Sequence, residues 1–287
     1  MSDHDMPAAA AGTVTVGDLT VNRMGFGAMR VTGSGIWGPP RDHDESIRVL
    51  RRALELGVNF IDTADSYGPK VSEELIAEAL HPYPDGLVIA TKAGLVRPGP
   101  NRWIPNGRPD HLRKAVEGSL ERLRVDRIDV LQLHRPDPKV PFEDSLGTLK
   151  AMQDEGKIRH IGLSNVNAGE LEFARGIVDV VSVQNMYNVT ERRSDAVLDA
   201  CEAAGLPFLP WRPVLGGQLT GPGSPLGEAA ERHGATPGQL ALAWLLHRSP
   251  VMLPIPGTSS VAHLEENVAA GAIGLDDDDL RAFEAAA

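Results

Sequence analysis

Asp62, Tyr67, Lys92 and His134 have the types and spacing of proton-transfer chemistry. Asp62 closes the apolar run VNFID, and Tyr67 follows across the polar turn TADS, just before a glycine. Lys92 closes LVIATK, and His134 closes VLQLH. A lysine ending an apolar run is costly to bury unpaired, and Asp62 is the nearest plausible partner. An ammonium beside the Tyr67 phenol would stabilise the phenolate and lower its pKa from about 10, making it a better proton donor and acceptor near neutral pH. His134 could then orient a carbonyl oxygen toward Tyr67. Each residue alone also has a structural explanation: a buried ion pair for Asp62 and Lys92, a loop anchor for Tyr67, a satisfied core histidine for His134. Their succession at consecutive strand ends is what points to catalysis.

Such residues can meet only if the strands bearing them point the same way. Apolar runs of strand length recur about eight times along the chain: MGFGAM, VNFID, LVIATK, IDVLQLH, IRHIGLSN, VVSVQN, LPFLPW and VMLPIPG. Near-continuous apolar runs are what parallel strands buried on both faces require. Helical spacing fills the intervals, as in DESIRVLRRALELG, where Ile47, Leu50 and Leu54 share a face and Gly57 supplies the stop. The alternation, unbroken by any linker composition, predicts one α/β domain over residues 1–287, a (β/α)8 TIM barrel, with TVTVGDLTV as an N-terminal β-hairpin and residues 1–12 as a flexible lead-in.

Composition bounds the rest. The chain has 287 residues, 42% hydrophobic and 23% charged, enough for a sizeable core. Its formal charge of −11 argues against nucleic acid and anionic membranes as partners, so an anionic ligand needs a local pocket of donors. No basic, apolar leader opens the sequence and no apolar run reaches membrane-spanning length, so a cytoplasmic protein is expected. The single cysteine, Cys201, excludes an intramolecular disulfide and a cysteine-rich metal site. The nine histidines are scattered without ligand spacing, so no metal is expected, and no G-x-S-x-G elbow is present.

One stretch competes with the barrel. GSGIWG, residues 33–38, matches G-x-G-x-x-G after a strand, but Pro39 and Pro40 follow at once and the next helix begins only near Asp42 or Asp44. The glycines therefore read as a loop over the barrel mouth rather than a dinucleotide fingerprint.

Taken in order, DTADSYG, ATK, LQLHRPD, IGLSN, VQNMYN and IPGTSSVAHLEEN resemble the aldo-keto reductase family across essentially the whole chain. The resemblance implies that Asp62, Tyr67, Lys92 and His134 form a tetrad reducing an aldehyde or ketone, with Tyr67 as proton donor and a nicotinamide cofactor as hydride donor. By the same resemblance, Ser164, Asn165 and Gln184 would bond the nicotinamide carboxamide, and Trp211 would stack on its ring in a place usually held by tyrosine. Gly27, Ala28 and Met29 would line that end. Arg212, Pro213, Val214 and Gly216, in RPVLGGQLTG, would wrap the pyrophosphate. At the adenosine end Gly257 and His263 stand where the family often has lysine and arginine, while Thr258, Ser259 and Ser260 open a helix able to bind an anion. Glu266 and Asn267 would meet the adenine. NADPH (as NADP when oxidised) is the implied cofactor, with NADH use more open than in members keeping the arginine. Trp37 and Trp103, from variable loops, could wall an aromatic carbonyl or simply pack. GPPRD and the IPGTSSVAHLEEN ending look most like pyridoxal reductases, the branch interconverting pyridoxal and pyridoxine. A broad-range aldehyde or ketone reductase is the alternative. So is a nicotinamide-sensing regulatory subunit, since the β-subunits of potassium channels also resemble this family.

Overall fold

In the computed structural model, which describes residues 6–214 and 224–285, an antiparallel hairpin of β1 (Thr13–Val16) and β2 (Leu19–Asn22) leads into the barrel strands. These are β3 (Phe26–Gly27), β4 (Phe60–Asp62) and β5 (Val88–Ala93), then, after an antiparallel excursion through β6 (Leu95–Gly99) and β7 (Arg102–Pro105), β8 (Ile128–Leu133), β9 (Ile158–Ser164), β10 (Val180–Met186) and β11 (Phe208–Trp211). The barrel strands form one seven-stranded parallel sheet in chain order from β3 to β11. Helices α1 (His43–Glu55), α2 (Val71–Leu80), α3 (Pro109–Leu123), α4 (Phe142–Asp154), α5 (Ala168–Arg175), α6 (Asp195–Ala204), α7 (Pro225–His233), α8 (Pro237–Arg248), α9 (Val261–Ala269) and α10 (Asp277–Ala285) complete the chain.

Residues 251–256 close the circle. Phe208 N–H donates to Val251 O and Leu253 N–H to Phe208 O, both at 2.9 Å; on the other side Gly25 N–H reaches Pro254 O at 2.9 Å and Gly27 N–H reaches Pro256 O at 3.3 Å. Pro254 and Pro256 have no N–H to return, so the segment accepts toward β3 without donating and never becomes a regular strand. The closure is tight enough to dictate two glycines: a Cβ on Gly27 would stand 2.6 Å from Ile255 O, and one on Gly257 would stand 2.6 Å from Gly27 O. The VMLPIPG run thus takes the eighth position of the expected barrel.

Two apolar layers hold this shape. Inside, Phe60, Val88, Val130, Val181 and Leu209 pack with Val16 and Val21 of the hairpin, which plugs the N-terminal end. Outside, helix faces such as Ile47 and Leu50 of α1 pack against the sheet. Asp42 caps α1 by accepting the Glu45 N–H at 2.8 Å, so the glycine loop ends well before that helix begins. Gly33 N–H bonds Gly38 O at 3.0 Å and Gly38 N–H bonds Gly68 O at 2.6 Å, pinning the loop to the turn after β4.

Pro7–Ala11, inside the expected flexible lead-in, forms a 3-10 turn with Ala8 and Ala11 buried and the Ala8 N–H on Leu56 O at 2.9 Å. Alanine loses no side-chain entropy on ordering, so a small contact against the end of α1 suffices. No helix among the described residues is long and apolar enough to cross a membrane.

Candidate active site

Parallel register carries the polar strand ends to one face of the barrel. Asp62 lies opposite Ala90, and Lys92 opposite Gln132, so acid and lysine reach each other across neighbouring strands. Lys92 is fully buried and donates to Asp62 Oδ2 at 2.6 Å, Thr63 O at 2.8 Å and Tyr67 Oη at 3.2 Å. Those acceptors match the donors of an ammonium one for one. Asp62 Oδ1 accepts from Gln184 Nε2 at 2.8 Å and Gln132 Nε2 at 3.0 Å. A buried ion pair survives desolvation only when its remaining hydrogen-bonding capacity is filled, and here it is. Burial opposes the lysine charge, but Asp62 and Tyr67 outweigh it and hold the Lys92 pKa above its usual value.

The turn between β4 and α2 presents the phenol. Asp65 N–H bonds Lys92 O at 3.2 Å, Tyr67 N–H bonds Ala64 O at 3.1 Å, and Gly68 takes a φ of +97° where a side chain would be strained. Tyr67 is 6% exposed. The pull of Lys92 on the phenol is present as expected, but its net result is not: burial outweighs it and raises the Tyr67 pKa. Low dielectric disfavours the phenolate more than the nearby ammonium favours it. The phenol is therefore a proton holder at neutral pH, suited to giving its proton to an oxygen that becomes negative beside it.

His134 is placed by its own N–H on Ala93 O at 2.8 Å, and its Nδ1 meets Ser66 Oγ at 3.3 Å. Its ring stands edge-on to Tyr67 with centroids 5.9 Å apart. Burial pushes the imidazole well below its usual pKa, with Lys92, Arg135 and Arg97 adding in the same direction, so the ring is neutral. When Ser66 donates to Nδ1, the ring proton sits on Nε2, where it can donate to a carbonyl oxygen. Trp103 closes the group, 6.1 Å from Tyr67 and 6.3 Å from His134 between ring centroids. Trp37 lies farther out, 36% exposed, with the Arg97 guanidinium 5.7 Å from its ring.

The expected cofactor residues fall into two places. Around the tetrad, Asn165 adopts a φ of +59° and its Nδ2 bonds His134 O at 3.0 Å and Ser164 Oγ at 2.9 Å, while its Oδ1 accepts the Trp211 indole N–H at 3.2 Å. Gln184 commits its Nε2 to Asp62 and to Gln132 Oε1, while its own Oε1 takes part in none of these bonds. A buried carboxylate is a stronger acceptor than any neutral group nearby and captures the amide. Gly27 and Ala28 are buried and Met29 partly exposed at the end of β3, with Ala28 O bound by Ser72 Oγ at 3.0 Å. Arg212 takes a φ of +53° and its carbonyl accepts from Asn188 Nδ2 at 3.0 Å; Pro213 is buried and Val214 exposed. Gly216 lies outside the described residues.

The second place is the start of α9. Gly257, Ser259, His263 and Glu266 are exposed there, Asn267 is partly exposed, and Thr258 is buried with its Oγ1 on Ser260 N–H at 3.1 Å. Ser260, the N-cap, makes no side-chain cap; instead Glu45 of α1 accepts the Val261 N–H at 3.0 Å. Sequence reading missed Glu45, Gln132, Ser66 and Arg97. Gln132 left a trace as a lone amide inside the apolar run VLQL, and Ser66 as a hydroxyl next to Tyr67; the other two left none.

Comparison with known proteins places this fold. The model of the aldo/keto reductase family matches residues 23–287. An oxidoreductase of Schizosaccharomyces pombe is 55% identical over 268 residues, 93% of this chain and 87% of that one. Pyridoxine 4-dehydrogenase of Escherichia coli is 46% identical over 282 residues, 96% of this chain and 98% of that one. An aldo-keto reductase from Klebsiella pneumoniae, crystallised with NADPH, superimposes with a TM-score of 0.81 at 26% identity, covering 96% of this chain and 94% of that one. With a parallel barrel and a buried Asp–Lys–Tyr chain at its mouth, the protein belongs to the aldo/keto reductase family.

Proposed function

We propose that the protein reduces an aldehyde or ketone to the alcohol, with NADPH as preferred cofactor and NADH usable, and that pyridoxal, giving pyridoxine, is its substrate. The observation that carries the reaction is the chain from Asp62 through Lys92 to the Tyr67 hydroxyl, beside a neutral His134. Bound reduced nicotinamide supplies the hydride. Tyr67 gives its proton to the carbonyl oxygen as negative charge develops there, and Lys92, held charged by Asp62, stabilises the phenolate left behind. His134 Nε2 orients the same oxygen, and Ser66 fixes the ring.

The chain's donors suit that cofactor. Asn165 and Trp211, already bonded to each other beside the tetrad, would hold the nicotinamide end together with Ser164 and Gln184 Oε1. The hydroxyls of Thr258, Ser259 and Ser260, with His263, would hold the adenosine phosphate; Glu45 at the same helix start tempers that preference and leaves room for NADH. Arg212, Pro213 and Val214 would follow the pyrophosphate, and Glu266 and Asn267 the adenine. Pyridoxal is favoured by the 46% identity to the Escherichia coli pyridoxine 4-dehydrogenase and by Trp103 beside Tyr67, which suits a planar ring. A cytoplasmic setting agrees with a lone, buried Cys201.

The test is a panel of carbonyl compounds headed by pyridoxal, followed at the reduced-nicotinamide absorbance, with Tyr67→Phe as control. Pyridoxal should give the highest kcat/KM, and Tyr67→Phe should lose about 10²–10⁴-fold in turnover with NADPH binding kept. Similar rates across the panel would replace pyridoxal by a broad carbonyl range. NADPH binding without turnover of any member would point to a nucleotide-sensing subunit.

A further inference from the structure

Arg97 belongs to no motif, yet three loops of the barrel mouth meet on it. Its Nη1 donates to Ser66 O at 2.8 Å, its Nη2 to Gly35 O at 3.1 Å and its Nε to Arg102 O at 2.9 Å. Those carbonyls lie in the turn after β4, in the glycine loop after β3 and in the β6–β7 hairpin. The guanidinium carbon lies over Trp103, 3.5 Å from the ring centroid. Trp103 is the ring that stands against Tyr67 and His134. Ser66, whose carbonyl Arg97 holds, is also the residue whose hydroxyl meets His134 Nδ1.

This combination needs an arginine. A planar fork can send N–H groups outward in its own plane to separate carbonyls while its face stacks on an indole; a lysine ammonium offers a point charge and no face. The guanidinium over its ring limits how Trp103 can tilt, and Trp103 in turn stands beside the Tyr67 and His134 rings. A flat substrate ring placed there gains contact with the indole over its whole area, whereas a short alkyl chain covers little of it.

We propose that Arg97 is the positioning residue of the substrate wall: it holds Trp103 against Tyr67 and His134, and the wall so formed selects planar aromatic carbonyl compounds over short aliphatic ones. The inference rests on the reductase reading above.

Wild type, Arg97→Lys and Trp103→Leu are each assayed with a pyridinecarbaldehyde and with propanal at saturating NADPH, alongside NADPH titration by tryptophan fluorescence. In Arg97→Lys the ratio of kcat/KM for the ring aldehyde over propanal falls by about tenfold, through KM and not kcat, while NADPH affinity stays within about twofold. Trp103→Leu reproduces the fall in ratio. Equal losses on both aldehydes, or a loss carried by kcat, overturn the proposal, because Arg97 would then act on the fold or on the tetrad. Should Arg97→Lys fail to fold, Trp103→Leu decides alone, and an unchanged ratio overturns it. Wild type that binds NADPH but reduces neither aldehyde defeats the reductase reading itself, a different result from a wall that fails to discriminate.

Discussion

Replacing Lys92 by methionine keeps an unbranched apolar stem and removes the ammonium, along with its bonds to Asp62 Oδ2, Thr63 O and Tyr67 Oη. Stability falls first. Stripping one partner from a buried ion pair costs about 3–5 kcal/mol. The lower end applies here, because Gln132 and Gln184 still donate to the stranded Asp62 carboxylate. A domain of ordinary stability, about 5–15 kcal/mol, stays folded under that loss, which a urea melt verifies before any kinetics. Activity falls further. The charge that would stabilise the departing phenolate is gone, and removing one such preorganised donor costs about 10²–10³ in kcat. The pH profile carries the mechanistic content. Burial already raises the Tyr67 pKa and Lys92 pulls it part of the way back, so without Lys92 it rises further. Reduction needs the phenol protonated, so its alkaline decline moves to higher pH in the variant. Alcohol oxidation needs the phenolate as base, so its rise with pH moves the same way. Single-turnover stopped-flow in both directions, across neutral to alkaline pH, measures both limbs. A folded Lys92→Met retaining about a tenth or more of wild-type turnover, or an alkaline limb moved to lower pH, would refute the reasoning.

Two further expectations follow from groups near the site. Asp65 has a buried Oδ1 without a hydrogen-bond partner, and burial, reinforced by Glu73 and opposed by Arg122, pushes its pKa up to about 8. The folded protein thus keeps a proton that the unfolded chain releases near pH ~4, so stability is lost as pH rises from there through about 8. Asp65→Asn should remove that slope and gain on the order of a few kcal/mol at pH ~8 relative to pH ~5; urea melts giving the same difference at both would contradict it. At the start of α9, His263→Arg should tighten NADPH over NADH by about tenfold, since a guanidinium pairs bidentately with phosphate. Isothermal titration with both cofactors measures this, and equal tightening of the two would remove His263 from the phosphate site.

The barrel was legible because its signal is local. VNFID, LVIATK and VLQLH each declare a doubly buried strand within a few residues, and helical periodicity marks each return. Even the run that never becomes a regular strand, VMLPIPG, was read in its place, since prolines alter the hydrogen bonds and not the apolar pattern. The polar strand ends were legible for a similar reason: Asp62, Lys92 and His134 each interrupt apolar runs that have no packing use for them. The ordered turn at Pro7–Ala11 was not, because alanines next to a glycine look the same whether or not something covers them.

By itself, then, the sequence determined which barrel strands exist, that they run parallel, and which charged groups stand at their ends; the antiparallel pair β6–β7, which carries Trp103, was read only as a loop. Only the tertiary structure decided how those groups share their bonds and where their protons rest. Gln184 is held to Asp62 rather than left wholly to a ligand, although 122 residues separate the two. Glu45 caps a helix 216 residues away. Arg97 gathers three loops and a tryptophan that no motif connects. The sign of the Tyr67 shift depends on how completely the barrel mouth excludes water from the phenol, which outweighs the nearby ammonium. Periodicity is written residue by residue, whereas the competition between a carboxylate, an amide and a cation for the same few ångströms depends on distance and desolvation, and those exist only once the chain has closed.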